Sequence, residues 1–286
     1  MKIYFKLMRV HHYIKNLLIF FPLVFSKRMF ESNLLLKTII AFISFSFASS
    51  FVYIINDIKD AKKDRMHSTK CKRPIASGEV KVSFALFLAV FLIFAVVIIN
   101  TLILKVSFPA VLCIFIYVAI NILYTLGLKQ IPILDVAVLA VGFFLRLLYG
   151  ALITGIEISN WFYLTTILGS LYLGFGKRRN EIKMEGNDKR DVLKLYSYDF
   201  LDKNMYMCLS LAIVFYSLWT IDTLNKYGGI LVWTIPLLVL ICMKYSFNIE
   251  KGGDGDPTEV ILRDKILLGM VLLYGVLMFI VLYGIT

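Results

Sequence analysis

"YIINDIKDAKKDRMHSTKCKRPIASG", Tyr53 to Gly78, places Asp57, Asp60 and Asp64 within eight positions. Nineteen uncharged residues, Thr38 to Asn56, precede them directly. A run of that length matches the roughly 20 residues a helix needs to cross a bilayer. Eight Lys or Arg residues then lie from Lys59 to Lys81. The stretch therefore predicts a membrane helix that ends in dense charge of both signs.

The rest of the chain agrees with a membrane class. Hydrophobic residues make up 59% of the 286 and aromatics 15%, with a mean hydropathy of +0.80. A soluble chain this apolar has too little polar surface to cover its core. The apolar runs suit α-helices, and the short alternating strands of a barrel are absent from the sequence pattern. Nine spans are expected, at 14–26, 34–56, 82–102, 108–126, 132–153, 160–176, 205–222, 229–247 and 265–284, the first of them short. The basic start "MKIYFKLMRVHHYIK" is followed by no small-residue cleavage site, so no removable leader is expected. No loop is long enough for a soluble domain, and residues 1–286 are expected to form one polytopic membrane domain.

Assigning the loops to alternate sides gives 25 Lys or Arg on one side and five on the other, with Arg146 inside a span. The positive-inside rule then places the N-terminus and both long loops, 57–81 and 177–204, in the cytoplasm. The expected location is a bacterial-type cytoplasmic membrane. Topology and anionic membrane lipids account for most of the net charge of +12, so no nucleic-acid partner is expected. A polyanionic substrate fits the same charge. Cys71, Cys113, Cys208 and Cys242 are scattered, and His11, His12 and His67 make no metal set.

If the second span stays helical past Tyr53, Asn56, Asp60 and Asp64 follow at i, i+4 and i+8. Asp57, Asp60 and Asp64 follow at i, i+3 and i+7 on the same face. Three carboxylates on one face repel unless a cation lies among them. Oxygen donors of this kind suit Mg²⁺, which is commonly shared with substrate phosphates. Arg65, Lys70, Lys72 and Arg73 are candidates for further phosphate oxygens. The competing reading is a solvated helix end that stops the chain entering the bilayer.

"NDIKDAKKD" resembles the NDxxDxxxD motif of the UbiA superfamily of intramembrane prenyltransferases. Within it, "HHYIKNLLIFFPLVF", "DRMHSTKCKRPIASGEV", "YTLGLKQIPILDVAVLAVGFFLRLLYGA" and "ISNWFYLTTILGSLYLGFGKRRNE" resemble the decaprenyl-phosphate phosphoribosyltransferase branch. The resemblance covers residues 9 to 200 well, and the last three spans by topology. It implies a nine-helix UbiA-like bundle with a cytoplasm-facing active-site cavity. It also implies Mg²⁺ on Asp57, Asp60 and Asp64, phosphoribosyl pyrophosphate as donor and a polyprenyl phosphate lipid as acceptor. One departure stands out. Superfamily members that use prenyl diphosphates carry a second Asp-rich motif after span six, where this chain has "GKRRNEIKMEGNDKRD". Asp188 and Asp191 make only a weak DxxD beside Glu181, and a cationic pocket for a second phosphate is easier to draw.

Other residues carry two readings each. Arg146 lies mid-span, where a charge costs at least ~2.5 kcal/mol, which marks it for substrate binding or for a structural pair with a carboxylate or backbone carbonyls. Asp135 suits helix capping as well as chemistry. Lys129, Lys177 and Arg178 sit at cytoplasmic helix ends and are candidate sugar-phosphate ligands, although topology alone would place cations there. Lys15 is placed to meet a lipid phosphate or to anchor the chain. Gly142 and Gly150 read as close helix packing.

The expected reaction moves a 5-phosphoribosyl group to a polyprenyl phosphate and releases diphosphate, making a precursor for cell-envelope polysaccharide. The alternatives are an aromatic prenyltransferase of quinone or haem biosynthesis, and a membrane transporter. Against transport, the carboxylates cluster at the membrane edge and not at the midplane. Self-association into a homo-oligomer stays open.

Overall fold

The computed structural model describes residues 2–183, 191–222, 229–251 and 257–284. Every regular element among them is helical, as hydrocarbon demands of a backbone that must satisfy its own hydrogen bonds. Seven helices are long and apolar enough to cross a membrane. They are Ser32–Arg65, Val82–Ile103, Phe108–Leu126, Leu134–Thr154, Tyr198–Asp222, Ile230–Glu250 and Lys265–Tyr283. Two more helical segments stand where the other expected spans fall. Val10–Phe25 is apolar but short, and Asn160–Lys183 ends in the charged run KRRNEIK.

Ser32–Arg65 has 34 residues, which makes it about 51 Å long. The hydrocarbon core is roughly 30 Å thick, so its last turns extend beyond it. Those turns stay helical because Lys59, Ala61, Lys62, Lys63 and Arg65 are good helix formers once water is available. Its inner face is built from small residues. Ala41, Ser44, Ala48 and Ser49 are all buried, and such residues let helices approach closely. Proline sits in the first turn of Phe108–Leu126 and of Ile235–Glu250, where its missing N–H costs nothing.

The chain divides into two compact units, Met1–Lys129 with Gly142–Glu157, and Gln130–Val141 with Ile158–Thr286. The partition runs through the helix Leu134–Thr154. In the first unit Leu7, Ile54, Ile75, Ala85 and Leu92 form one core. Gly150 is a point of contact there, because a Cβ would overlap the carbonyl oxygen of Ile19. In the second unit Phe175, Leu193, Leu201, Met205 and Leu267 form the core. A Cβ at Gly174 would come within 2.6 Å of the Val136 side chain, so this helix pair also needs glycine.

Candidate active site

Within the first unit, the motif aspartates lie on the extended turns of Ser32–Arg65 as the spacing predicts. Asp57 and Asp64 are buried and Asp60 is partly exposed. A buried carboxylate needs partners to offset its lost hydration. Arg9 Nη2 donates to Asp57 Oδ1 at 2.6 Å. Arg73 Nη1 donates to the same oxygen at 3.1 Å and to Asp64 Oδ2 at 2.6 Å. Lys129 Nζ donates to both oxygens of Asp60 at 2.7 Å. Asn56 accepts from the Thr125 hydroxyl at 3.2 Å.

The cations come from elsewhere in the chain and keep access to solvent. The side chains of Arg9, Arg73 and Lys129 are 17%, 25% and 21% exposed, against 3% for Asp57. Arg65 donates to the Ala76 carbonyl at 3.2 Å, which ties the loop 66–81 back to its helix. Lys6 donates to the Lys72 carbonyl at 2.5 Å and brings the N-terminal helix to that loop. Lys70 is half-buried in the loop. Arg9 itself was not legible as a site residue. It has a left-handed backbone, φ 52°, and its guanidinium sits 5.0 Å over the Tyr53 ring. Its partner lies 48 positions away, and no local pattern announces such a pairing.

Arg73 Nη1 occupies the point on which two carboxylates converge. Hard oxygen donors around a bound positive group are the donor set that Mg²⁺ takes, and in this respect the residues fit the ion. Among the described residues, no three His, Cys, Asp or Glu side chains converge as a metal-binding group. The fit therefore rests on Asp57 and Asp64, with Asp60 turned to Lys129.

The second unit holds a different arrangement. Arg178 is 1% exposed and Asp135 is 0% exposed. Arg178 Nε donates to Asp135 Oδ2 at 2.6 Å, and Nη1 donates to Glu181 at 2.7 Å. The Tyr196 hydroxyl donates to the other Asp135 oxygen at 2.7 Å and accepts from the Ile133 amide. Burial, then the Asp135 carboxylate, push the Tyr196 phenol above its usual range and keep it a donor. Arg179 pairs with Asp202 at 2.7 Å and Glu250 at 3.0 Å, and lies 4.8 Å over the Tyr198 ring. Lys177 is half-buried beside them. Asp135, for which the sequence allowed a helix cap or a role in chemistry, thus serves an ion pair 43 positions away. Asp191 pairs with Lys194 at 3.2 Å and is 65% exposed. Asp188 lies outside the described residues.

Arg146 and Lys15 belong to the first unit but to neither cluster. Arg146 is 6% exposed. It donates to Asn16 at 2.7 Å, the Gly142 carbonyl at 2.6 Å and the Tyr117 hydroxyl at 3.1 Å. The rings of Phe45, Tyr117 and Phe143 surround it at 5.0 to 5.5 Å. Of the two readings the sequence allowed, this geometry matches the structural one, with a backbone carbonyl as partner. Lys15 is half-buried on Val10–Phe25, next to the Asn16 that serves Arg146.

The chain as a whole is similar to known proteins. A profile described as the UbiA prenyltransferase family matches residues 18–263. A decaprenyl-phosphate phosphoribosyltransferase of Corynebacterium glutamicum is 32% identical over 92% of this chain and 81% of that protein. A protein of the same name from Mycolicibacterium smegmatis is 31% identical over 92% and 86%. Among solved structures, a UbiA homolog from Archaeoglobus fulgidus bound to GPP and Mg²⁺ superposes with a TM-score of 0.72. It covers 99% of both chains at 16% identity, a likeness of fold.

Proposed function

The chain belongs to the UbiA prenyltransferase family, and from that premise we propose that it transfers a 5-phosphoribosyl group from phosphoribosyl pyrophosphate to a polyprenyl phosphate. The observation that carries this reading is the identity with the phosphoribosyltransferases over nine-tenths of the chain. The cluster around Asp57 supports it, because its cations are exposed enough to meet phosphate oxygens.

In the reaction, an oxygen of the lipid phosphate bonds to C1 of the ribose as the bond from C1 to the diphosphate oxygen breaks. The electron pair leaves with the diphosphate. The nucleophile is already an anion, so no general base is required. Arg9 and Arg73 are proposed to hold the departing diphosphate through charge-assisted hydrogen bonds. Lys129, with Lys70 from the loop and Arg65 from the end of the helix, positions the sugar phosphate, and Asn56 fixes the helix turn beneath. Asp57, Asp64 and Asp60 would hold Mg²⁺, which when bound neutralises charge on the leaving diphosphate. The apolar helices accommodate the isoprenoid tail. We infer that the acidic end of Ser32–Arg65 faces the cytoplasm, where a soluble, highly charged donor is available, and that the chain works as one catalytic membrane domain. Arg146 and Arg178 are assigned to holding helices, and Lys177 and Lys15 to the rim.

The quinone-type alternative draws less support. Among the described residues after Gly176, Glu181 pairs with Arg178, Asp202 and Glu250 with Arg179, and Asp191 with Lys194. The test supplies purified protein with radiolabelled phosphoribosyl pyrophosphate and polyprenyl phosphate, and separately with a prenyl diphosphate and an aromatic acceptor. Label in the lipid fraction from the first pair alone is expected. Transfer from the second pair alone would overturn the reading.

A further inference from the structure

Five cations fall on the side opposite the acids by charge counting, and two of them meet at one cavity. Lys37 and Lys105 line a space of about 160 Å³, together with Leu104, Ser107, Leu152 and Ile153 of the same unit. That is room for roughly five waters, enough for a phosphate group. Both lysines are exposed, and among the described residues neither makes an ion pair or side-chain hydrogen bond. No carboxylate among the described residues lines the cavity. Glu31 is held by Arg28 at 2.6 Å, and Glu157 pairs with neither lysine.

The backbone around the cavity is unusual. Val82–Ile98 passes into a π-helical turn, Ile99–Ile103, a feature that recurs at functional positions. Lys105 then adopts φ 47°, a left-handed conformation that costs a side-chain-bearing residue energy and persists only where its surroundings impose it. The surroundings are specified. Asn100 donates to Ser44 at 2.7 Å and accepts from Tyr149 at 2.6 Å. Its backbone carbonyl receives the Val106 amide at 3.0 Å. A buried side chain therefore fixes the segment that presents Lys105.

Depth identifies the ligand. Lys37 precedes Asp57 by twenty positions on one helix, about 30 Å of rise, which equals the thickness of the hydrocarbon core. The cavity thus stands at headgroup level in the leaflet opposite the acids. We propose that it binds the phosphodiester of an anionic phospholipid, with the two ammonium groups on the phosphate oxygens and Leu104, Leu152 and Ile153 against the upper acyl chain. Lone lysines at helix ends commonly reach toward headgroups without forming a site, and the test separates the two cases.

The protein is reconstituted in phosphatidylcholine discs containing a minority of phosphatidylglycerol, and retained lipid is counted by native mass spectrometry. One tightly held phosphatidylglycerol is expected. Lys37→Gln/Lys105→Gln should lower its retention about ten-fold or more, while Lys37→Arg/Lys105→Arg keeps it. Lys27→Gln, on the same side but outside the cavity, should leave it unchanged. Lys105→Gly should lower retention without lowering the melting temperature, because glycine accepts the left-handed backbone. Equal loss in Lys27→Gln, or full retention in the double Gln variant, would overturn the proposal. Displacement by inorganic phosphate, with no dependence on phosphatidylglycerol, would show a soluble-anion site and overturn the lipid assignment.

Discussion

The cluster at Asp57 and the cluster at Arg178 use the same chemical groups in opposite ways. In the first cluster Asp57 and Asp64 are buried on a helix, and the cations reach in from the N-terminal segment, the loop 66–81 and Lys129 with part of each still wet. Around Arg178 the cation is buried on the helix, and the acids and a phenol close over it. A partly hydrated guanidinium can exchange a carboxylate for a phosphate at small cost. A guanidinium at 1% exposure must abandon two carboxylates first and leave the buried Asp135 with the neutral Tyr196 hydroxyl in place of a cation. The first arrangement suits turnover of a charged substrate, and the second suits holding helices together.

The largest expected effect tests the second cluster. Arg178→Ala should destabilise the folded protein by about 3–5 kcal/mol, as breaking a buried ion pair does. The protein that survives should keep its KM for phosphoribosyl pyrophosphate. Replacing both partners, Arg178→Met with Asp135→Leu, should recover most of the melting temperature. A ten-fold rise in KM with an unchanged melting temperature would collapse the contrast and make Arg178 a substrate ligand.

Next in size is the first cluster. Asp57→Asn should lower kcat about 10²–10³-fold, the loss typical of removing one organised electrostatic contact at a transition state. Its melting temperature should move little, because Arg9 and Arg73 can hydrate in place. Addition of a chelator should reduce wild-type turnover to a comparable level. Full turnover in excess chelator would remove the metal from the reading. Lys129→Ala should act more weakly, raising KM for phosphoribosyl pyrophosphate about ten-fold, or about 1.4 kcal/mol, with kcat retained.

The smallest effect lies with Tyr196. Its hydroxyl donates to a buried carboxylate, so Tyr196→Phe should cost about 1 kcal/mol at neutral pH. The phenol titrates higher in the folded protein than the 10.0 of a free one. Stability from this group is present in full below pH 10 and is lost as pH rises above it toward the folded value. Alkaline melting curves of wild type and Tyr196→Phe should therefore converge. Parallel curves would show that the hydroxyl does not serve Asp135.

Much of the helical layout was legible because hydrocarbon imposes a length and forbids charge. The expected span 108–126 coincides with Phe108–Leu126, and 82–102 and 265–284 fall within a residue of Val82–Ile103 and Lys265–Tyr283. Where charge resumes, that signal stops while the helix does not. The span at 34–56 ends nine residues before its helix, and 160–176 ends seven before Lys183. The helical placement of Asp57, Asp60 and Asp64 was legible from their spacing. Their partners were not, since Arg9 and Lys129 approach from 48 and 69 positions away. A cation count assigns such residues to a side of the membrane and says nothing of which carboxylate each will meet.

The neighbours of Arg146 bear on how the chain enters the membrane during synthesis. Asn16, Phe45, Tyr117, Gly142 and Phe143 all precede it, and chains are made and begin to fold from the N-terminus. When the ribosome delivers this arginine, every group that will shield it has already been translated. A charge that would cost at least ~2.5 kcal/mol in bare lipid thus arrives at a prepared berth. Moving the helix that carries it to the front of the gene, by circular permutation, would put Asn16, Phe45 and Tyr117 after it. The arginine would then wait in the bilayer for its acceptors, and insertion yield should fall even where the finished fold is the same.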